Sequence, residues 1–157
     1  MNLQWKKAEL NDLEELVATR VMVLRAANLL DDDADMGQVE EASRAYYQHA
    51  LPKGTHEAWL VMDQDQVVAT GGVSYYQVMP TYHNPSGWKA YIMNMYTAPA
   101  YRRQGIARET LRRLVEGCKA RGISHIALEA TQAGRPLYTR YGFVPMQDEM
   151  ILPEDLL

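Results

Sequence analysis

The chain has 157 residues, 47% of them hydrophobic and 23% charged, with a formal net charge of −4 and one cysteine. That size predicts one domain over residues 1–157, able to bury about two-thirds of its unfolded surface without a disulfide or metal. The negative charge argues against a general nucleic-acid binder, the lone cysteine excludes an internal disulfide, and no run of roughly 18 apolar residues is present to span a membrane.

The opening MNLQWKKAEL lacks the apolar core of a signal peptide, so the expectation is a cytoplasmic protein. Residues 2–9 read as an edge strand. Asn11 and Glu14 are a candidate capping pair, and Leu13, Leu16, Val17, Val21 and Leu24 then share one helical face. Asp31, Asp32, Asp33 and Asp35 end that helix, either as a solvated acidic loop or as a lip that attracts a cationic amine. A second helix over 38–50 is closed by Pro52 and Gly54. Glu57–Met62 and Val67–Tyr76 flank the polar turn 63–66 and predict a hairpin, with Gly71-Gly72 marking a bulge or a close contact. The loop 77–88 carries Tyr82, His83 and Trp88, and loops with aromatics often line binding sites.

The apolar run Tyr91–Thr97 reads as a buried strand, stopped by Pro99. Arg102-Arg103-Gln104-Gly105-Ile106-Ala107 follows, and a helix over 105–121 begins at once. Its apolar face is Ala107, Leu111, Leu114, Val115 and Cys118, and Gly122 is its stop. The first N–H groups of a helix have no internal partner, and the helix dipole favours negative charge there. A basic loop whose glycine lets the backbone approach a ligand therefore predicts a phosphate or pyrophosphate site. Ile123–Ala130 reads as the next strand, 136–141 as a short helix, and Phe143–Leu152 as last-strand material. The order predicts an α/β fold with a mixed sheet, its strand–helix–strand unit from Tyr91 to Ala130 parallel and right-handed.

These motifs resemble those of the GNAT superfamily of acyl-CoA N-acyltransferases. The family's phosphate loop is Arg or Gln, two residues, Gly, one residue, then Gly or Ala, as at 102–107. The preceding strand ends Met95-Tyr96-Thr97 and then Pro99, and Tyr138 stands four residues before Gly142-Phe143, like the family's second signature. The resemblance is strong from about residue 57 to 150 and covers the first fifty residues only in outline. It implies a mixed, mostly antiparallel sheet with helices on both faces and a V-shaped cleft after the central strand. Acetyl-CoA would enter there as acyl donor, with no metal. Its pyrophosphate would lie on the N–H groups of Arg103 to Arg108, beside Arg102, and its pantetheine along Met95, Tyr96 and Thr97. Where many relatives carry an Asn, this chain has Thr131-Gln132-Ala133-Gly134, so Thr131 or Gln132 is the substitute contact.

The implied chemistry is acyl transfer to a primary amine by direct attack in a ternary complex. It needs a proton for the leaving thiolate and donors for the oxyanion, and a backbone N–H near Met95 or Tyr96 is a candidate donor. Tyr138 is the candidate acid, because a phenol with a pKa near ~10 is protonated at neutral pH. For the base, Glu129, His83 and water relayed by Tyr91 or Asn94 stay open. Tyr46, Tyr47, Tyr75, Tyr76, Tyr82 and Trp88 are candidate walls of the acceptor pocket, while Cys118 reads as packing. The acceptor is expected to be a small-molecule amine, with a peptide N-terminus or lysine as second choice. A non-catalytic acyl-CoA sensor is the competing class, and it would not require Tyr138. A homodimer is open, because dimers are common among similar proteins.

Overall fold

The computed structural model describes residues 2–157. Nine regular elements follow one another: β1 (Leu3–Lys7), α1 (Leu13–Ala27), α2 (Gly37–Lys53), β2 (His56–Asp63), β3 (Gln66–Gln77), β4 (Trp88–Thr97), α3 (Ile106–Ala120), β5 (Ile126–Leu128) and α4 (Arg135–Tyr141). The strands form one sheet in the order β1-β2-β3-β4-β5. Every neighbouring pair is antiparallel except β4 and β5, which run parallel across the α3 crossover.

The sheet separates two apolar layers. On one face, α1 and α2 pack Leu16, Val17 and Tyr47 near Ala58 and Leu60. On the other, Leu111, Leu114, Val115 and Cys118 of α3 pack on Val73, Tyr75, Ala90 and Ile92. Burying these side chains contributes on the order of 1.5–3 kcal/mol each. The seam of α3 opens at buried Ile106, while Ala107 is half-buried. Thr110 is also on this seam and fully buried. Its hydroxyl donates to the Ile106 carbonyl at 2.9 Å and accepts from the Trp5 indole at 3.0 Å, so edge strand β1 is tied to α3. Cys118 is packing, as expected, and burial pushes its thiol up to about 11.

Several boundaries differ from the sequence reading. Asn11 and Glu14 do not cap α1. A short 3-10 turn over Leu10–Asp12 precedes it, and the Asp12 carboxylate accepts from the Glu9 N–H at 2.8 Å. Helix α2 runs through Pro52 to Lys53, because the left-handed Gly54 (φ +71°) and Thr55 return their N–H groups to Leu51 and Ala50. Strand β5 spans three residues, not 123–130, because it lasts only as long as it pairs with β4. Among the described residues no strand follows α4. Pro145 and Pro153 lack N–H donors, and Met150 and Ile151 of the tail are almost fully exposed. No helix among the described residues is long and apolar enough to cross a membrane.

Candidate active site

Two features of β4 build the site. Its parallel pairing to β5 ends at Ile92–Leu128, so residues 93–97 lose their neighbour on that side. Its pairing to β3 also slips: Gly72 faces Met93 and Thr70 faces Tyr96, leaving Asn94 and Met95 opposite Gly71 alone. This is a β-bulge, and Asn94 takes the left-handed φ of +59° that the extra residue demands. The Arg20 guanidinium of α1 donates to the Asn94 side-chain oxygen at 3.0 Å and holds the bulge from the α1 face. The strands therefore part where β4 kinks.

Below the splay lies the loop into α3. Arg103 (φ +62°) and Gly105 (φ +81°) both turn left-handed. Arg102 folds back, its Nε donating to the Thr97 carbonyl at 2.9 Å, and the Gln104 amide donates to Ala100 at 3.4 Å. The first α3 amide to pair is that of Glu109, with Gly105 at 3.1 Å. The N–H groups of Arg103 to Arg108 find no acceptor among the described residues. A Cβ on Gly105 would meet no atom within 4 Å, so the loop's backbone is open to a ligand. Glu109 would oppose an anion here, but Arg112 and Arg113 bind its carboxylate at 2.8–2.9 Å and hold its pKa down at about 2. The loop thus has the donors and local charge to hold a phosphate.

Beyond β5 a cleft of about 860 Å³ runs along the strand's outer edge, lined by Tyr76, Ile126, Leu128, Tyr138, Phe143 and Glu149 among others. Tyr138 is 9% exposed and meets Phe143 edge-to-face at 6.1 Å. Burial raises its phenol above the ordinary value. Gly134 lies against its ring: a Cβ there would stand 3.2 Å from Tyr138 Cε2. Thr131 holds the entry to α4, its hydroxyl accepting from the Gly134 N–H at 3.1 Å. Arg108 spans from the loop toward α4, its guanidinium 5.4 Å from the Tyr141 ring centre.

Glu129, just past β5, is exposed and lies beside the Tyr91 hydroxyl. Burial first, then the Glu129 charge and hydrogen bond, raise the Tyr91 phenol. The structure does not bring His83 to this group. It lies exposed on the loop after β3 against Tyr82, itself 92% exposed, and neither lines the cleft. The Thr97 carbonyl already accepts one bond, from Arg102 Nε. The Asp31–Asp35 segment is a largely exposed turn in which Asp31 accepts from the Asp33 N–H at 3.1 Å and Asp35 from the Gly37 N–H at 2.9 Å. No group of three His, Cys, Asp or Glu among the described residues is placed to hold a metal.

A second polar cluster lies on the α1–α2 face next to the bulge. The Tyr46 hydroxyl is 3.0 Å from His56 Nδ1 and 2.7 Å from Ser74 Oγ, and Ser74 reaches Met93 Sδ at 3.6 Å. His56 is 5% exposed, and burial, then the Arg20 charge, lower its pKa to about 4. Sequence reasoning passed over Arg20, His56 and Ser74. One signal was present: position 20 falls on the apolar stripe of 13, 16, 17 and 24, so an arginine there points inward.

A model of the acetyltransferase (GNAT) family matches residues 24–143. A predicted acetyltransferase of Clostridium acetobutylicum, solved with acetyl-CoA, is 32% identical with a TM-score of 0.87, over 97% of this chain and 96% of that one. A GCN5-related N-acetyltransferase of Ralstonia eutropha JMP134 is 25% identical with a TM-score of 0.82, over 98% and 99%. Glucosamine-6-phosphate N-acetyltransferase of Arabidopsis thaliana, 14% identical with a TM-score of 0.71 over 99% and 100%, shares the fold. Among curated proteins no match was found.

Proposed function

Since the chain belongs to the acetyltransferase (GNAT) family, we propose that it moves an acetyl group from acetyl-CoA to the primary amine of a small molecule, by direct attack in a ternary complex. The observation that carries this reading is the row of unpaired N–H groups from Arg103 to Arg108, below the point where β4 and β5 part. That row and the open backbone at Gly105 fit the pyrophosphate of acetyl-CoA. Acetyl-CoA, when bound, supplies an acyl carbon already activated as a thioester.

The chain's own residues do the rest. Arg102, Gln104, Ile106 and Ala107 shape the loop, and Arg103 and Arg108 add charge that the pyrophosphate would share. The unpaired side of β4 at Met95 and Tyr96 offers backbone groups to the pantetheine arm, and a bulge N–H offers a donor to the acyl oxygen. Thr131 and Gly134 set the start of α4 and so the position of Tyr138.

During transfer the amine nitrogen bonds to the acyl carbon and the carbon–sulfur bond breaks. Tyr138 gives its proton to the sulfur and regains one from solvent. Glu129, beside Tyr91, takes the proton from nitrogen. Tyr76, which lines the cleft, and Tyr91, beside Glu129, wall the acceptor side, and Asn94 fixes the bulge.

The test is a thiol-release assay with acetyl-CoA over amines, polyamines, amino acids, aminoglycosides and peptides. The expected result is CoA release that depends on a small primary amine. Acetyl-CoA binding without turnover of any amine would reject catalysis and leave a sensor.

A further inference from the structure

Arg20 is the odd residue of the site. It sits half-buried on the inward face of α1, where Leu16, Val17 and Val23 are buried. Of its guanidinium, only the bond to the neutral Asn94 side chain is made, and no carboxylate lies within salt-bridge distance among the described residues. A guanidinium carries five donors and a permanent charge. Taking that charge partly out of water without a counter-ion is costly. Other arginines of the chain, Arg44, Arg112 and Arg113, do have carboxylate partners.

Its surroundings favour an anion. The Tyr46 and Ser74 hydroxyls lie 2.7 Å apart on the same side of the sheet, over β3. His56, beneath them, is neutral at physiological pH and leaves Arg20 as the cation of this cluster. No acidic residue is among the partners of Tyr46, His56, Ser74 or Asn94. The carboxylates of Glu129 and, more weakly, Glu149 act on Tyr91 instead. The two ends of the acceptor face therefore differ: a base beside Tyr91, and an uncompensated cation with hydroxyls beside Asn94.

We propose that Arg20, with Tyr46 and Ser74, binds an anionic group of the acceptor, so that the acceptor is a primary amine that also bears a carboxylate or phosphate. This rests on the acetyltransferase reading and names the acceptor class within it. It is the opposite of the alternative that the acidic loop at Asp31–Asp35 selects a cation, a loop in which Asp31 and Asp35 accept from their own backbone.

The experiment is a steady-state comparison of matched amines in the full-length protein with saturating acetyl-CoA. Phenylalanine is set against phenylalaninamide and phosphoethanolamine against ethanolamine, within a wider panel of such pairs. For at least one pair type the anionic member should be favoured by about 10- to 100-fold in kcat/KM, as a charge-assisted contact supplies. The pair type that responds separates carboxylate from phosphate. Arg20→Gln should bring that pair to parity, the anionic member losing about 10- to 100-fold more in kcat/KM than its neutral counterpart. Arg20→Lys should restore part of the preference. Turnover with parity in every pair, or an equal loss for both members in Arg20→Gln, overturns the inference while leaving the acetyltransferase reading intact. No turnover with any amine removes both.

Discussion

Gly71 stands directly under Met95: a Cβ on Gly71 would lie 2.7 Å from Met95 Sδ and 2.7 Å from Thr110 Cγ2. The contact lies where β3 meets the two-residue bulge of β4, so the empty space at Gly71 is what lets the bulge pack against α3. Gly71→Ala should therefore cost about 1–3 kcal/mol of stability from overpacking. It should also lower turnover by displacing Met95. Chemical denaturation and a thiol-release assay measure the two effects. A fully stable, fully active variant would show that the bulge does not depend on this contact.

Tyr138→Phe keeps the ring against Phe143 and removes only the hydroxyl. Loss of a general acid lowers the rate by about 10²- to 10⁴-fold. The expected result is a fall in kcat of that order with KM for acetyl-CoA unchanged. Burial raises the Tyr138 phenol, so the acid form persists through neutral pH. The alkaline fall in kcat should then begin only above the ordinary phenol range near ~10. Full activity in the variant would remove Tyr138 as the acid.

Gly105→Glu places a carboxylate where the N–H row is proposed to meet phosphate and forces a side chain onto a φ of +81°. Calorimetry should detect no acetyl-CoA binding, while circular dichroism shows a folded protein. Unchanged affinity would contradict the phosphate-loop assignment.

His56 makes stability depend on pH. Its folded pKa, about 4, is below the unfolded value of 6.5, so the unfolded chain binds more protons between these limits. Stability therefore falls as pH drops from about 6.5 toward 4 and levels below that, by up to about 3 kcal/mol for this residue. The groups around the ring are Arg20 from α1 and Tyr46 and Tyr47 from α2, with Ser74 from β3. His56→Gln should lose less stability than the parent over this interval in urea titrations at pH 7 and pH 4.5. Parallel losses in the two proteins would show that His56 is not desolvated in solution.

Much of the fold was legible because its signals are local. The hairpin of β2 and β3 follows from two apolar runs about a polar turn. Helix α3 follows from a stripe ending in buried Cys118 and a stop at Gly122. The ends of β5 were not legible, because Ile123–Ala130 is apolar enough for a longer strand and only the kink of β4 at Asn94 ends the pairing. The expected strand over Phe143–Leu152 failed for the same reason: a strand needs a ladder partner, and periodicity does not reveal whether one is present.

Sequence alone was enough to locate the row of unpaired N–H groups at the start of α3, because consecutive N–H groups at a helix start are set by neighbouring residues and by one glycine that tolerates a left-handed turn. It also put Tyr138 four residues before Gly142 on a short helix. Only the tertiary structure brought Arg20, Tyr46, His56, Ser74 and Asn94 to one face of the sheet. They come from five elements spread over more than seventy residues of chain. Side chains that meet through packing leave no spacing pattern behind, so the loop proposed to hold the donor can be read along the chain and the face proposed to meet the acceptor only across it.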